Sequence, residues 1–192
     1  RVTLNEVPRS ASSRDILLAV EGRISDAWTV AGLVQQNLDS GQNERFNVAA
    51  RYTPSPGRAL FASYRYTRQL VNPTGEGSEI QQIDLAAQWP VNAQWTLLGR
   101  YNYSIVDRKV LEAVAGVEYN GDCWTLRAVL HRLATTVDQT NTSFFIQLEL
   151  NGLARVGTSP LDLLRRSVPG YVSANDPSLR QRDRSGDPLP EF

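Results

Sequence analysis

Strict alternation of apolar and polar residues runs from residue 16 to residue 152, and no other feature of the chain constrains its fold as tightly. A period of two puts successive side chains on opposite faces of a strand, whereas an amphipathic helix repeats every 3.6 residues. The chain therefore reads as all-β. In the first run Ile16, Leu18, Val20, Gly22 and Ile24 share one face, with Leu17, Ala19, Glu21, Arg23 and Ser25 behind them. Comparable runs follow at 28–35, 46–53, 60–67, 82–89, 95–103, 111–119, 124–130 and 144–150. A stretch of about ten residues is the length a tilted strand needs to cross a bilayer. These runs predict nine complete strands, with a short remnant at 1–4 ahead of the polar stretch 5–14.

The connections alternate too. Tight turns rich in Pro, Gly, Asn and Asp fall at 25–27, 54–57, 90–93 and 120–122. The others, at 39–43, 71–78, 134–141 and the shorter 106–109, are mostly longer and polar. Trp28, Leu60, Trp95 and Trp124 restart the strand after each tight turn, at intervals of about 30 residues. The repeating unit is an up-and-down hairpin.

Alternation alone does not say which face is inside; the aromatic residues speak to that. Tyr52, Trp89 and Tyr119 close the apolar face at the tight-turn end of descending strands, and Trp28, Trp95 and Trp124 open it on ascending ones. Phe46, Tyr64, Tyr66, Tyr101, Tyr103 and Phe144 gather near the opposite ends of that face. Two aromatic girdles around an aliphatic band match the two boundaries of a bilayer. The second face carries Glu21, Arg23, Arg51, Arg65, Asp84, Arg100, Glu112, Glu118, Arg127, His131 and Glu149, which a dry core would not tolerate without partners. The expected fold is an antiparallel up-and-down transmembrane β-barrel with a polar lumen. A soluble antiparallel sheet with solvent-facing charges is the competing reading. Against it, the small residues Gly22, Gly32, Ala50, Ala62, Ala87 and Gly99 on the apolar face would fill a two-sheet core poorly.

Charge and motifs narrow the function. The 192 residues hold 20 Lys and Arg against 20 Asp and Glu, so nucleic acid is not an expected partner. The longest apolar run, 16–20, is far too short for a membrane helix, which needs about 20 residues. His131 stands alone, no Cys or His sits at metal-ligand spacing, and no nucleophile elbow or Gly-rich phosphate loop is present. Neither an enzyme nor a cofactor is expected. The chain starts at Arg1 without a leader, and a barrel of this type closes with an even number of strands, so a piece of a larger barrel is expected. Cys123 cannot form a disulfide within the chain: it is a free, idle thiol or half of a bond to a partner elsewhere. The charges on the second face are read first as solvated or mutually paired. Arg51, Arg65, Arg100 and Arg127 face the same way and suit phosphate or acidic sugar groups.

The C-terminal run Phe144-Phe145-Ile146-Gln147-Leu148-Glu149-Leu150-Asn151-Gly152-Leu153, followed by Ser159-Pro160-Leu161-Asp162-Leu163-Leu164-Arg165-Arg166-Ser167-Val168-Pro169-Gly170-Tyr171, closely resembles the end of the LptD family. These are lipopolysaccharide-assembly outer-membrane proteins, also called organic solvent tolerance proteins. Pro54-Ser55-Pro56-Gly57-Arg58 and Ser63-Tyr64-Arg65-Tyr66 resemble the barrel of that family, and the likeness runs from 1 to 171. The resemblance implies a very large barrel in the bacterial outer membrane, built around the lipoprotein plug LptE and preceded by a periplasmic domain. Lipid A would leave between the first and last strands while the sugar chain passes through the lumen. This chain would supply the last third of that barrel and the last-strand side of the gate, through Phe144, Ile146, Leu148 and Leu150. Its implied partners are lipopolysaccharide, outer-membrane lipid, LptE, and the N-terminal strands and periplasmic domain that this sequence does not contain. Family members carry adjacent cysteines at the turn before the penultimate strand, bonded to the periplasmic domain. Here that pair reads Asp122-Cys123, so at most one such bond is implied.

The expected organisation is barrel hairpins at 1–152, a periplasmic segment at 153–171 with a short helical turn at 160–166, and a disordered tail at 172–192. The alternative function is that of a self-contained small outer-membrane barrel: a porin, an adhesin or a lipase.

Overall fold

A computed structural model describes residues 15–39, 41–69, 78–121, 123–134, 139–150, 153–158, 160–173 and 176. Nine long strands appear where the alternation predicts them: β1 (Asp15–Arg23), β2 (Trp28–Asn37), β3 (Asn43–Ser55), β4 (Arg58–Gln69), β5 (Ser78–Pro90), β6 (Trp95–Ser104), β7 (Lys109–Gly121), β8 (Trp124–Ala134) and β9 (Thr140–Leu150). A short β10 (Ala154–Gly157) and one helix, α1 (Leu161–Ser167), follow. The strands make a single sheet in chain order, each antiparallel to the next. The chain is all-β, with up-and-down connectivity throughout the described residues. No helix among those residues is long and apolar enough to cross a membrane.

A tenth, short strand joins the sheet beyond β9. The remnant at 1–4 lies outside the described residues, and β10 comes from the opposite end of the chain. Four residues are too few to establish a period, which is why β10 is invisible to pattern reading. It pairs Ala154 with Leu150 and Gly157 with Gln147, covering only the tight-turn end of the outer edge of β9. Gly157 ends it in the left-handed region, at φ 102°, where a Cβ would collide with the Ile146 carbonyl oxygen.

Burial is inverted relative to a water-soluble protein. On one face large apolar side chains stand exposed, among them Val20, Val48, Leu85, Leu97 at 52% and Phe144 at 64%. On the other Glu118, Arg127, Gln147 and Glu149 are buried, with Arg127 wholly inaccessible. Cross-strand register adds the inclination of the strands. The row Tyr52, Leu60, Ala87, Gly99, Ala115, Leu130, Phe144 starts at the tight-turn girdle on β3 and reaches the far girdle on β9. At the girdle level itself β9 has Leu150, opposite Trp124, so the row climbs six residues over six pairings. With about 3.3 Å per residue and about 4.8 Å between strands, the strands tilt by about 35°. Transmembrane barrels tilt their strands by roughly this angle.

The segment after β10 folds onto the polar face. Leu161, Leu164 and Val168 bury one side of α1 at a spacing of three and four residues. Leu164 joins Leu98, Val114 and Val129 in an apolar cluster, with Phe145, Leu163 and Tyr171 packed around it. Register explains the landing place: Leu98, Gly116, Val129 and Phe145 are successive cross-strand partners, forming one apolar row across an otherwise polar wall. Each fully buried Leu or Val there contributes about 1.5–3 kcal/mol.

Candidate functional site

The polar wall divides into two networks and an open region. The first network centres on Arg100 of β6, which binds Asp84 of β5 through Nε at 3.0 Å and Nη2 at 2.8 Å. Its Nη1 reaches Glu112 of β7 at 2.9 Å, and the other oxygen of Glu112 meets His131 Nε2 of β8 at 2.9 Å. Antiparallel hairpins bring these residues together because they lie on neighbouring strands at similar heights, with Asp84 opposite Asn102 and Asn102 opposite Glu112. Every acid and base in this chain of contacts is half-buried, and His131 is a member of it.

The second network is buried. Arg127 of β8 faces its cross-strand partners Glu118 and Gln147. Nε donates to Glu118 at 3.1 Å, Nη1 to Glu149 at 2.6 Å and to Gln147 at 3.3 Å, and Nη2 to the Ser173 hydroxyl at 2.6 Å. The Tyr171 hydroxyl donates to the same Glu118 carboxylate. Burial first, and then the negative charge of Glu118, push the Tyr171 phenol above its ordinary pKa. The planar five-donor fork of arginine suits such a hub, since all three nitrogens find oxygen. Sequence reasoning placed Glu118, Arg127 and Glu149 on one face but missed Gln147, Tyr171 and Ser173. The Pro169-Gly170 stop that ends α1 was visible; the return of the following residues into the sheet was not.

Arg51 on β3 and Arg65 on β4 belong to neither network. Both are exposed on the polar face. Where Leu98, Val114 and Val129 interrupt that face, on β6 to β8, α1 covers them.

On the opposite face the aromatic residues meet in pairs. Trp28 lies against Tyr52 with ring centroids 4.8 Å apart, Trp95 against Tyr119 at 4.8 Å, and Tyr119 against Trp124 at 5.0 Å. At the far end Phe46 approaches Tyr64, and Tyr101 stacks on Tyr103, both at 6.2 Å. Tyr66 hydrogen-bonds Glu79, and Trp89 lies under the Arg58 guanidinium at 5.4 Å. Phe144, Ile146, Leu148 and Leu150 project from β9 on this same exposed face. Cys123 is an exposed free thiol in the turn between β7 and β8.

A family model described as LPS transport system D matches residues 1–95. Relatives named LPS-assembly protein LptD extend the match to almost the whole chain. That of Thiobacillus denitrificans is 45% identical over 177 residues, 92% of this chain and 23% of the relative. The chain belongs to the LptD family. The LPS-assembly protein LptD of Azoarcus sp. is 43% identical over 181 residues, covering 94% of this chain and 22% of the relative. That of Chromobacterium violaceum is 41% identical over 167 residues, covering 85% and 21%. This LptD-family chain therefore spans less than a quarter of the length of these relatives. Its setting is the bacterial outer membrane.

Proposed function

We propose that this chain is the closing third of a barrel that delivers lipopolysaccharide to the outer leaflet, acting as conduit wall rather than as catalyst. The inversion of burial carries this reading: a sheet with an apolar exterior and a charged, hydrogen-bonded interior suits a molecule with a greasy end and a sugar end. The names of the relatives supply the glycolipid class.

In this reading β9 is the last-strand side of a lateral gate, with Phe144, Ile146, Leu148 and Leu150 facing the departing acyl chains. Support comes from the edge of β9, where β10 occupies only the stretch from Gln147 to Leu150. The first strand of the complete barrel would meet the remainder. Hairpins at 1–152, of which 1–14 lies outside the described residues, form wall, and the segment 153–171 sits toward the periplasmic end; of the expected tail 172–192, Val172 and Ser173 dock on the polar wall, and 174–175 and 177–192 lie outside the described residues. LptE, the N-terminal strands and the periplasmic domain complete the machine, with Cys123 as the anchor point for a bond to that domain.

Photoreactive residues at Phe144, Ile146 and Leu148 of the full-length protein test the gate. Capture of lipopolysaccharide or of the first strand is expected; capture of neither removes β9 from the gate.

A further inference from the structure

We infer that Arg51 and Arg65 form a phosphate-contact site for the passing glycolipid on the lumenal wall of β3 and β4. The inference rests on the lipopolysaccharide-conduit reading and assigns its anion contacts to one hairpin. The sequence presents four equivalent arginines on the polar face, and the tertiary structure separates them. Arg100 is committed to Asp84 and Glu112, and Arg127 to Glu118 and Glu149. Arg51 and Arg65 are exposed, and neither makes an ion pair or hydrogen bond among the described residues.

Among the described residues neither arginine is paired with an acid. Asp84 faces Ser63 on β4, two residues along from Arg65, and would be its natural partner, but both Asp84 oxygens are held by Arg100 at 3.0 and 2.8 Å. Glu21 lines the same cavity as Arg65, its row reaching β3 at Ala49 through Ala31, but Arg23 on the same strand offsets it, its row reaching Arg51 through Thr29. The β3–β4 wall thus carries local positive charge within a chain of formal net charge +0.

Shape agrees with charge. Register sets Arg51 opposite Phe61, Ala49 opposite Ser63, and Asn47 opposite Arg65. The arginines therefore start about 13 Å apart along the hairpin, with the short side chains of Ala49 and Ser63 between them. A guanidinium binds phosphate oxygens through paired N–H donors, while Asn47 and Ser63 offer hydrogen bonds to sugar hydroxyls. The described part of the C-terminal segment covers the wall from β5 to β8 and meets this hairpin only at its lower end. Gly170 lies against Thr53 and Ala59, and a Cβ there would be 3.9 Å from Arg51 Cδ. Above that contact no described residue covers the β3–β4 wall.

A photoreactive residue at Ser63 in the full-length, partner-assembled protein tests the site, with a second at Ile146 reporting passage through the gate. Intact lipopolysaccharide is expected to cross-link at Ser63, and phosphatase-treated lipopolysaccharide about tenfold less, as for the loss of a charge-assisted contact. The Arg51→Glu, Arg65→Glu double variant should lose the Ser63 product, while Arg51→Lys, Arg65→Lys keeps most of it. Three results would overturn the site: capture insensitive to phosphate removal, no capture at Ser63, or capture of a protein plug there instead. Loss of lipopolysaccharide capture at both Ser63 and Ile146 in the unaltered protein would instead overturn the conduit reading.

Discussion

The side chain of Gln88 and the backbone of Val172 close a two-bond ring across 84 residues of chain: Nε2 donates to the Val172 carbonyl at 2.6 Å, and the Val172 N–H donates to Oε1 at 2.9 Å. The buried carboxamide thus satisfies a backbone stretch that has no strand beside it. Gln88→Ala is expected to weaken docking of this segment by about 1–3 kcal/mol. Faster hydrogen exchange at the Val172 amide would register it, and unchanged exchange would show the ring to be incidental.

Arg127 holds two carboxylates in a site closed to solvent, so Arg127→Ala leaves like charges buried together. A cost of about 3–5 kcal/mol is expected. The Arg100 side chain is 18% exposed, and Arg100→Ala should cost less because water reaches the acids it leaves behind. Heat-modifiable gel mobility of the full-length variants ranks them, and equal transition temperatures would contradict the difference in burial.

Tyr171 donates to Glu118 only while protonated. Its pKa is raised on docking, so the stabilisation is fully present below the ordinary phenol value of 10.0 and falls as pH climbs past it. Difference absorbance between the wild type and Tyr171→Phe should show no tyrosinate from this residue at pH 10. Titration at the ordinary value would place Tyr171 in solvent.

Spin labels at Leu97, Leu126 and Leu130 should be relaxed by oxygen partitioned in acyl chains, and a label at Arg65 by a water-soluble reagent. The reverse pattern would turn the sheet inside out.

Cys123 is exposed at the tight-turn end. In the full-length protein Cys123→Ser is expected to abolish a mobility difference between reduced and non-reduced samples. A wild type that shows no such difference carries an idle thiol.

The sequence by itself determined the strands, their up-and-down order and the two unlike faces. Alternation is a local property, and residues such as Leu97 and Arg100 declare their faces through neighbours one and two positions away. It also located α1, through Leu161 and Leu164. Only the tertiary structure decided which charges meet. Asp84, Arg100, Glu112 and His131 sit on four strands, and their pairing depends on register, which the turns and the inclination of the strands set together. The same holds for β10 and for Gln88 with Val172, whose partners lie too far along the chain for any local pattern to couple them. Four arginines alike in sequence became two structural hubs and two exposed cations for this reason: an ion pair needs atoms within a few ångströms, and that distance is a property of the folded sheet.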